Sequence, residues 1–437
     1  MLRIITDPNN IQAELKRIQR RTHQDNLQDK LATVESVLNQ VEHRGDEALL
    51  AFTAKFDRQT LTAAQLRVTG SELDIAYQQI SKDLLDAIQL ARQQIEAFHR
   101  LRVPQSWVHF ANQGIVLGKR YTPVDRAGLY VPGGQASYPS TVLMNAIPAK
   151  VAGVPRIVMV TPPGAEGRIN PAVLVAAQEA GIEEIYRVGG AQAVAALAYG
   201  TETIPAVNVI TGPGNIYVTL AKKIVYGTVG IDSLAGPSEV LIIADGRANP
   251  QHVAADLLAQ SEHDVLAASI LLTDSELLAK AVNKAVEEQL RHHERRELTE
   301  KAVFNYGLIG VVENLEIAAE LSDFFAPEHL ELEVREPWAL MEKIRHAGAI
   351  FLGSSTPEAV GDYLAGPNHT LPTSGAARYA SALGVETFMK YSSLIQYTPQ
   401  ALNEVGQAIA SLTKAEGLPS HGDSVRLRCE SNSSDTL

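Results

Sequence analysis

The strongest constraint on how this chain can fold is an alternation that begins at Gly128. Short β-rich runs, GLYVP, RIVMVT, EIYRVG and VNVIT, are separated by helical runs of about 10–15 residues. Parallel strands cannot be joined by a tight turn, and a helix is the usual crossover. The pattern therefore predicts βαβ units and a parallel sheet. A second series follows, VLIIAD, SILLTD, LIGVV, HLELEV and GAIFLG. Glycines mark the ends of the first set of strands, at Gly133-Gly134, Gly189-Gly190 and Gly212-Pro213-Gly214. Ligands gather at such strand ends in open α/β sheets.

The fold class expected is α/β, with two incomplete Rossmann-like lobes and helical extensions at both ends. Residues 1–28 read as an N-terminal helical arm. Residues 29–129 read as mostly helical: Leu31, Val34, Leu38 and Val41 recur at helical spacing, and the stretch from Ser71 to Leu101 has no Gly or Pro. They are expected to join 240–385 in one α/β lobe. Residues 130–239 form the other lobe. From Glu386 the pattern is helical again through residue 437, and its polar end, CESNSSDTL, is expected to fray.

Bulk properties exclude several classes of function. A chain of 437 residues can build two or more cores. Its 38 basic residues against 50 acidic ones leave a net charge of −12, which opposes binding to a phosphate backbone. No apolar run reaches the roughly 18 residues of a membrane span. The first residues show no apolar segment followed by a small-residue cleavage site, so no export signal is expected. The only cysteine, Cys429, excludes an intrachain disulfide and a cysteine-rich metal site. It fits a reducing compartment, and a cytoplasmic location is expected.

Five short segments could carry chemistry. In LLAQSEHD, Gln260 and His263 are three apart, so a helix would set them on one face toward a metal. Alone, a helical histidine is more often structural. Pro327-Glu328-His329 joins a carboxyl and an imidazole after Phe324-Phe325, an acid–base pair if a turn aims both at one pocket. The same string also reads as the polar start of a strand. Gly361 to His369 is a glycine-bearing loop in which Asp362 is either a metal ligand or a turn cap. Glu416 and His421 lie near the C-terminus. Ser238, in Ala235–Glu239, could hydrogen-bond a substrate; with no G-x-S-x-G string, a serine nucleophile is not expected. There is no G-x-G-x-x-G fingerprint either. A dinucleotide would have to use Gly189-Gly190-Ala191-Gln192 or Gly212-Pro213-Gly214-Asn215.

Taken together, LYVPGG, VGGAQAVAALAYGT, GPGN, IDSLAGPSEVLIIAD, LLAQSEHD, PEHLEL and GDYLAGPNHTLPTSG resemble the histidinol dehydrogenases, in order, from about Val41 to Leu427. The resemblance implies a homodimer that oxidises L-histidinol through L-histidinal to L-histidine, using NAD twice and one zinc ion per site. Carried over by motif, the zinc ligands would be Gln260, His263, Asp362 and His421, the last from the partner subunit. Substrate contacts would be Ser238, Gln260, His263, His329, Asp362, Glu416 and His421. NAD would meet Tyr130, Gln192 and Asn215, and Glu328 with His329 would be the acid–base pair. The family pattern often has a proline after Asp264; here the chain reads Asp264-Val265-Leu266-Ala267. A zinc hydrolase on the same residues is the competing expectation, since a Gln, His, Asp, His set can also activate water.

Overall fold

The computed structural model describes residues 2–22, 27–133, 138–164 and 166–434. Gly134, one of the expected strand-end glycines, lies outside them, as do Asp435 to Leu437 of the polar tail. The chain divides into two compact units, 1–102 with 124–388, and 103–123 with 389–437.

The larger unit contains two all-parallel sheets. One runs in the order Glu184–Arg187, Arg156–Thr161, Arg126–Tyr130, Val209–Thr211, Gly230–Ile231. The other runs Arg3–Ile5, Gly307–Val311, Ala268–Thr273, Glu239–Ala244, His329–Glu333, Ala349–Leu352. Apart from the edge strand Arg3–Ile5, both sheets share one winding. Each starts at its third strand in space, winds outward to one side, then returns to add two strands on the other. This is the order of a doubly wound fold, and each sheet has one point where the winding reverses.

The six-stranded sheet is buried on both faces, which is why its strands read as unbroken apolar runs. Alternate residues face opposite sides. Val240, Ile242 and Ala244 pack with Val253, Leu257, Val282 and Val286. Leu241 and Ile243 pack with Ile11, Leu15, Ile18, Phe325, Leu330 and Leu332. On the His329–Glu333 strand the second face therefore takes the leucines, and His329, Glu331 and Glu333 share the first.

The early residues depart from expectation. Arg3–Ile5 is a strand, and helix Pro8–Gln19 covers the six-stranded sheet, so the described part of the expected arm 1–28, residues 2–22, belongs to that lobe and is not a separate arm. Asp7 caps that helix and Pro8 opens it. The stripe Val34, Val37, Leu38, Val41 and Leu49 of helix Leu27–Phe52 shares a core with Val158, Val160, Val194 and Ile210 of the five-stranded lobe. Helix Lys82–Arg100 packs on Pro139–Val151 of the same lobe. Residues 29–100 thus go with the five-stranded lobe, not with 240–385. The reason is shape: helix Gly190–Tyr199 is almost wholly alanine, valine and leucine, and needs an apolar cover on every side.

The smaller unit also differs from a helical extension. Met389–Gln396, Val116–Pro123 and Trp107–Phe110 form an antiparallel sheet. Two helices follow, Pro399–Ala415 and Pro419–Ser434. Cys429 to Ser434, expected to fray, continue the second of them.

Candidate active site

The starts of the two central strands of the six-stranded sheet, Glu239–Ala244 and His329–Glu333, lie side by side where its winding reverses. Helix Pro250–Ser261 ends beside them. Asn249 caps its start through the Gln251 N–H, and Pro250 occupies its first turn. Gln260 is buried, His263 follows on the exposed side, and the ordering of both comes from this helix end.

Glu328 and His329 enter from helix Leu315–Phe325, which ends at Ala326 in the left-handed region (φ 52°). The turn brings both side chains to one place. Glu328 accepts the Glu239 N–H at 2.9 Å. His329 Nδ1 is 3.1 Å from the Glu239 carbonyl oxygen, 3.8 Å from Glu328 and 3.7 Å from Glu358. Its Nε2 lies 3.8 Å from Asp362 Oδ1 and has no hydrogen-bond partner, although the residue is only 4% exposed. An imidazole nitrogen left unpaired in the interior is costly unless something binds there.

Burial sets the protonation of this cluster. It pushes the His329 imidazole down to about 3, so the ring is neutral and able to accept a proton. Burial, with the Glu239 carboxylate beside it, holds the Glu328 carboxyl well above its usual range. Burial, then the neighbouring Asp362 charge, does the same to Glu358. Asp362 is pushed up to about 7 by burial. His369 is pushed down to about 4 by burial; its Nδ1 sits 3.0 Å from the Asp362 carbonyl oxygen.

A metal would find donors here. Ligand atoms of His263, Glu358 and Asp362 all lie within 4.8 Å of one another. With its amide turned to satisfy both ends, Gln260 donates to both Glu358 oxygens, one of them at 2.8 Å, and accepts the Glu239 N–H at 3.1 Å. One imidazole, two carboxylates and an amide fit the nitrogen and oxygen preferences of zinc. Gln260, His263 and Asp362 are therefore brought together. Ser238 is half-buried, and its carbonyl oxygen accepts the Ala268 N–H at 3.0 Å. Glu416 and His421 belong to the smaller unit, where both are exposed.

Two residues of the cluster escaped the sequence reading. Glu358 is four residues before Asp362 on helix Glu358–Tyr363, a spacing that could have flagged it. Glu239 is buried at the first position of its strand, paired with Arg21 at 3.0 Å. Nothing in the sequence marks that pair, whose members are 218 residues apart.

The residues expected to meet NAD sit at the carboxyl ends of the five-stranded sheet. Tyr130 ends its strand, and its hydroxyl oxygen accepts the Gly190 N–H at 3.1 Å. Gln192 donates to Asp57 at 3.2 Å. Asn215 caps helix Ile216–Val225 through the Tyr217 and Val218 N–H groups. Between them, Gly212 has φ 111°, and a Cβ there would run into the Tyr130 carbonyl. The Asp362–His369 loop is tied to this lobe. His369 Nε2 lies 3.4 Å from Thr141 Oγ1, and Asn368 donates to the Met144 carbonyl at 2.5 Å.

Comparison with known proteins decides the family. The family model described as histidinol dehydrogenase matches residues 19–429. The chain belongs to the histidinol dehydrogenase family. A histidinol dehydrogenase 2 from Trichormus variabilis is 72% identical over 98% of this chain and 99% of its own length. A histidinol dehydrogenase from Thermosynechococcus vestitus is also 72% identical, over 98% of this chain and all of its own. The crystal structure of a histidinol dehydrogenase from Elizabethkingia anophelis superposes with a TM-score of 0.93, at 38% identity, covering 99% of each chain. The mixed α/β architecture is thus that of the family, and the chain is an oxidoreductase of the histidinol dehydrogenase kind. Among the described residues, no helix is long and apolar enough to cross a membrane.

Proposed function

We propose that this chain oxidises L-histidinol to L-histidine in two NAD-linked steps, with L-histidinal between them. One observation carries the reading beyond family membership: the buried, unpartnered His329 Nε2, 3.8 Å from Asp362, on a ring whose Nδ1 side faces Glu328. In the first step His329 takes the hydroxyl proton as the adjacent carbon gives up a hydride. In the second, water adds to the aldehyde carbon, its proton passes to a base, the role given to Glu328, and His329 returns the proton taken in the first step to the former carbonyl oxygen. The resulting diol loses a proton to His329 and a second hydride from carbon, leaving the carboxylic acid. Cys429, eight residues beyond His421, turns its sulfur toward Gly406 of the preceding helix, so this reading takes the aldehyde through its hydrate and not through a thiohemiacetal.

The nicotinamide of NAD supplies the hydride acceptor, once in each step. Tyr130, Gln192 and Asn215 are assigned to its binding, with its phosphates toward the start of helix Gly190–Tyr199. Zinc, held by Gln260, His263 and Asp362 with His421 of a second copy, would supply a fixed point for the substrate nitrogens. Glu416 and Ser238 are assigned to the substrate. The protein therefore works as a homodimer, in the cytoplasm, with each site completed by its partner.

The test is to incubate the purified chain with L-histidinol and NAD, and to identify the products. Histidine formed together with NADH supports the reading. Turnover of ester or amide substrates without NADH would replace it with a metal hydrolase.

A further inference from the structure

We propose that Asp256, Glu331 and Glu333 form a second cation site, for a hard divalent ion such as Mg2+ or Mn2+. It is separate from the cluster at His263. The two rows that build it follow from local geometry. Glu331 and Glu333 are alternate residues of the His329–Glu333 strand and share one sheet face. Asp256 is one turn before Gln260 on helix Pro250–Ser261, which lies over that face.

Ligand oxygens of the three carboxylates come within 4.8 Å of one another. Oxygens on opposite sides of one cation are separated by twice the bond length, about 4.2 Å for bonds of about 2.1 Å and about 5 Å for bonds of about 2.5 Å, so the three carboxylates are close enough to share an ion after small side-chain adjustments. Proximity alone would not make a site, since acidic groups cluster for other reasons. A second observation points to a missing occupant. Glu331 is 2% exposed and Glu333 6%, and the Oε2 atom of each has no hydrogen-bond partner. Glu331 Oε1 is already committed to the Glu358 N–H at 2.8 Å. Its other oxygen is thus left free beside two further carboxylates. Among the described residues no lysine or arginine pairs with any of the three. The basic group that acts on Asp256 is His252, exposed one turn back on the helix. Buried carboxylates must be neutralised, by a proton or by a positive charge, and a divalent cation would do so for all three at once.

The donor set fixes the class of ion. The three side chains offer only carboxylate oxygens, with no imidazole and no sulfur, which suits Mg2+, Mn2+ or Ca2+ over zinc. The cluster at His263, with its imidazole, has the opposite preference. Asp256 is only half-buried, so the ion has a way in. The bond from Glu358 N–H to Glu331 links the second site to helix Glu358–Tyr363, which carries Asp362. An ion there would support that helix from below.

The experiment uses the full-length, zinc-saturated protein dialysed against Mn2+, with both metals counted per chain. One Mn2+ beyond the zinc is expected. Asp256→Asn with Glu333→Gln should weaken Mn2+ binding by at least about tenfold. His263→Asn should leave Mn2+ binding unchanged even as zinc content falls. The inference is overturned if the wild-type protein binds no Mn2+ with zinc in place. It is overturned equally if binding survives the double substitution, or is lost with His263→Asn, which would place the ion at the first cluster. Should the double variant fail to fold, a Mn2+-induced rise in the wild-type Tm decides the question, and no rise overturns it. Loss of dehydrogenase activity in His263→Asn bears on the zinc assignment alone.

Discussion

Arg21→Met should destabilise the chain through a pair that ties its first turns to the central strand Glu239–Ala244. The Arg21 guanidinium and the Glu239 carboxylate are both fully buried and 3.0 Å apart. Arg21 also donates to the carbonyls of Leu266 at 2.7 Å, Pro237 at 2.8 Å and Ile18 at 3.0 Å. Methionine fills similar volume but leaves Glu239 buried beside Glu328 with no counter-charge. Breaking one side of a buried pair costs about 3–5 kcal/mol. Uptake of a proton by Glu239 limits the cost to that range. With unfolding entropy of about 2.1 cal/mol/K per residue over 437 residues, the drop in Tm is roughly 3–5 °C. Calorimetry on Arg21→Met and on Arg21→Met with Glu239→Gln measures it. The double variant should regain more than half of the loss, because its buried amide needs no cation. A single variant within about a degree of wild type, or a double variant no better than the single, refutes the argument.

Four further outcomes are expected. His329→Asn should lower kcat by about 10²- to 10⁴-fold with metal content unchanged; loss of metal would reassign the residue. Glu328→Gln should slow histidinal oxidation more than histidinol oxidation in single-turnover assays, and equal loss in both would end the proposed division of roles. Asp232 accepts the Gly212 N–H at 2.8 Å and pairs with the buried Lys222. Asp232→Asn should therefore raise the KM for NAD more than it lowers kcat, and steady-state kinetics would show the reverse if the loop has no cofactor role. Burial lowers the His99 pKa in the folded protein, opposed by Glu386. Its neutral form is favoured by folding, so that stability is complete above the unfolded value of about 6.5 and falls as pH drops below it. His99→Leu should flatten this part of the stability profile, and an unchanged slope in acid denaturation counts against it.

The parallel strands were readable because burial on both faces writes them as continuous apolar runs. Asn249-Pro250 marks the start of helix Pro250–Ser261, and Gln260 lies on it as expected, but the helix ends at Ser261, so His263 reaches the site from the turn beyond it and not from a shared helix face. Arg3–Ile5 was not, since three residues carry no periodicity and the strand exists only through its pairing with Leu308 to Gly310. Met389–Gln396 was missed because it is exposed along most of its length, so no apolar alternation marks it. The placement of Val34 to Leu49 depended on which sheet offered a matching apolar helix, a choice that periodicity does not encode. In the site, Asp362 and His329 stand in distinctive strings. Glu239 and Glu358 gain their meaning only from partners far along the chain, Arg21 for one and Gln260 for the other.

The central claim is that one site carries out both oxidations, with a metal holding the substrate. The most direct measurement is the amount of NADH formed per L-histidinol consumed at completion, before and after treatment with a chelator, and again after zinc is restored. Two NADH per histidinol, loss of turnover with the chelator, and recovery with zinc are expected. A yield of one with histidinal accumulating, or two with full indifference to the chelator, would contradict the claim.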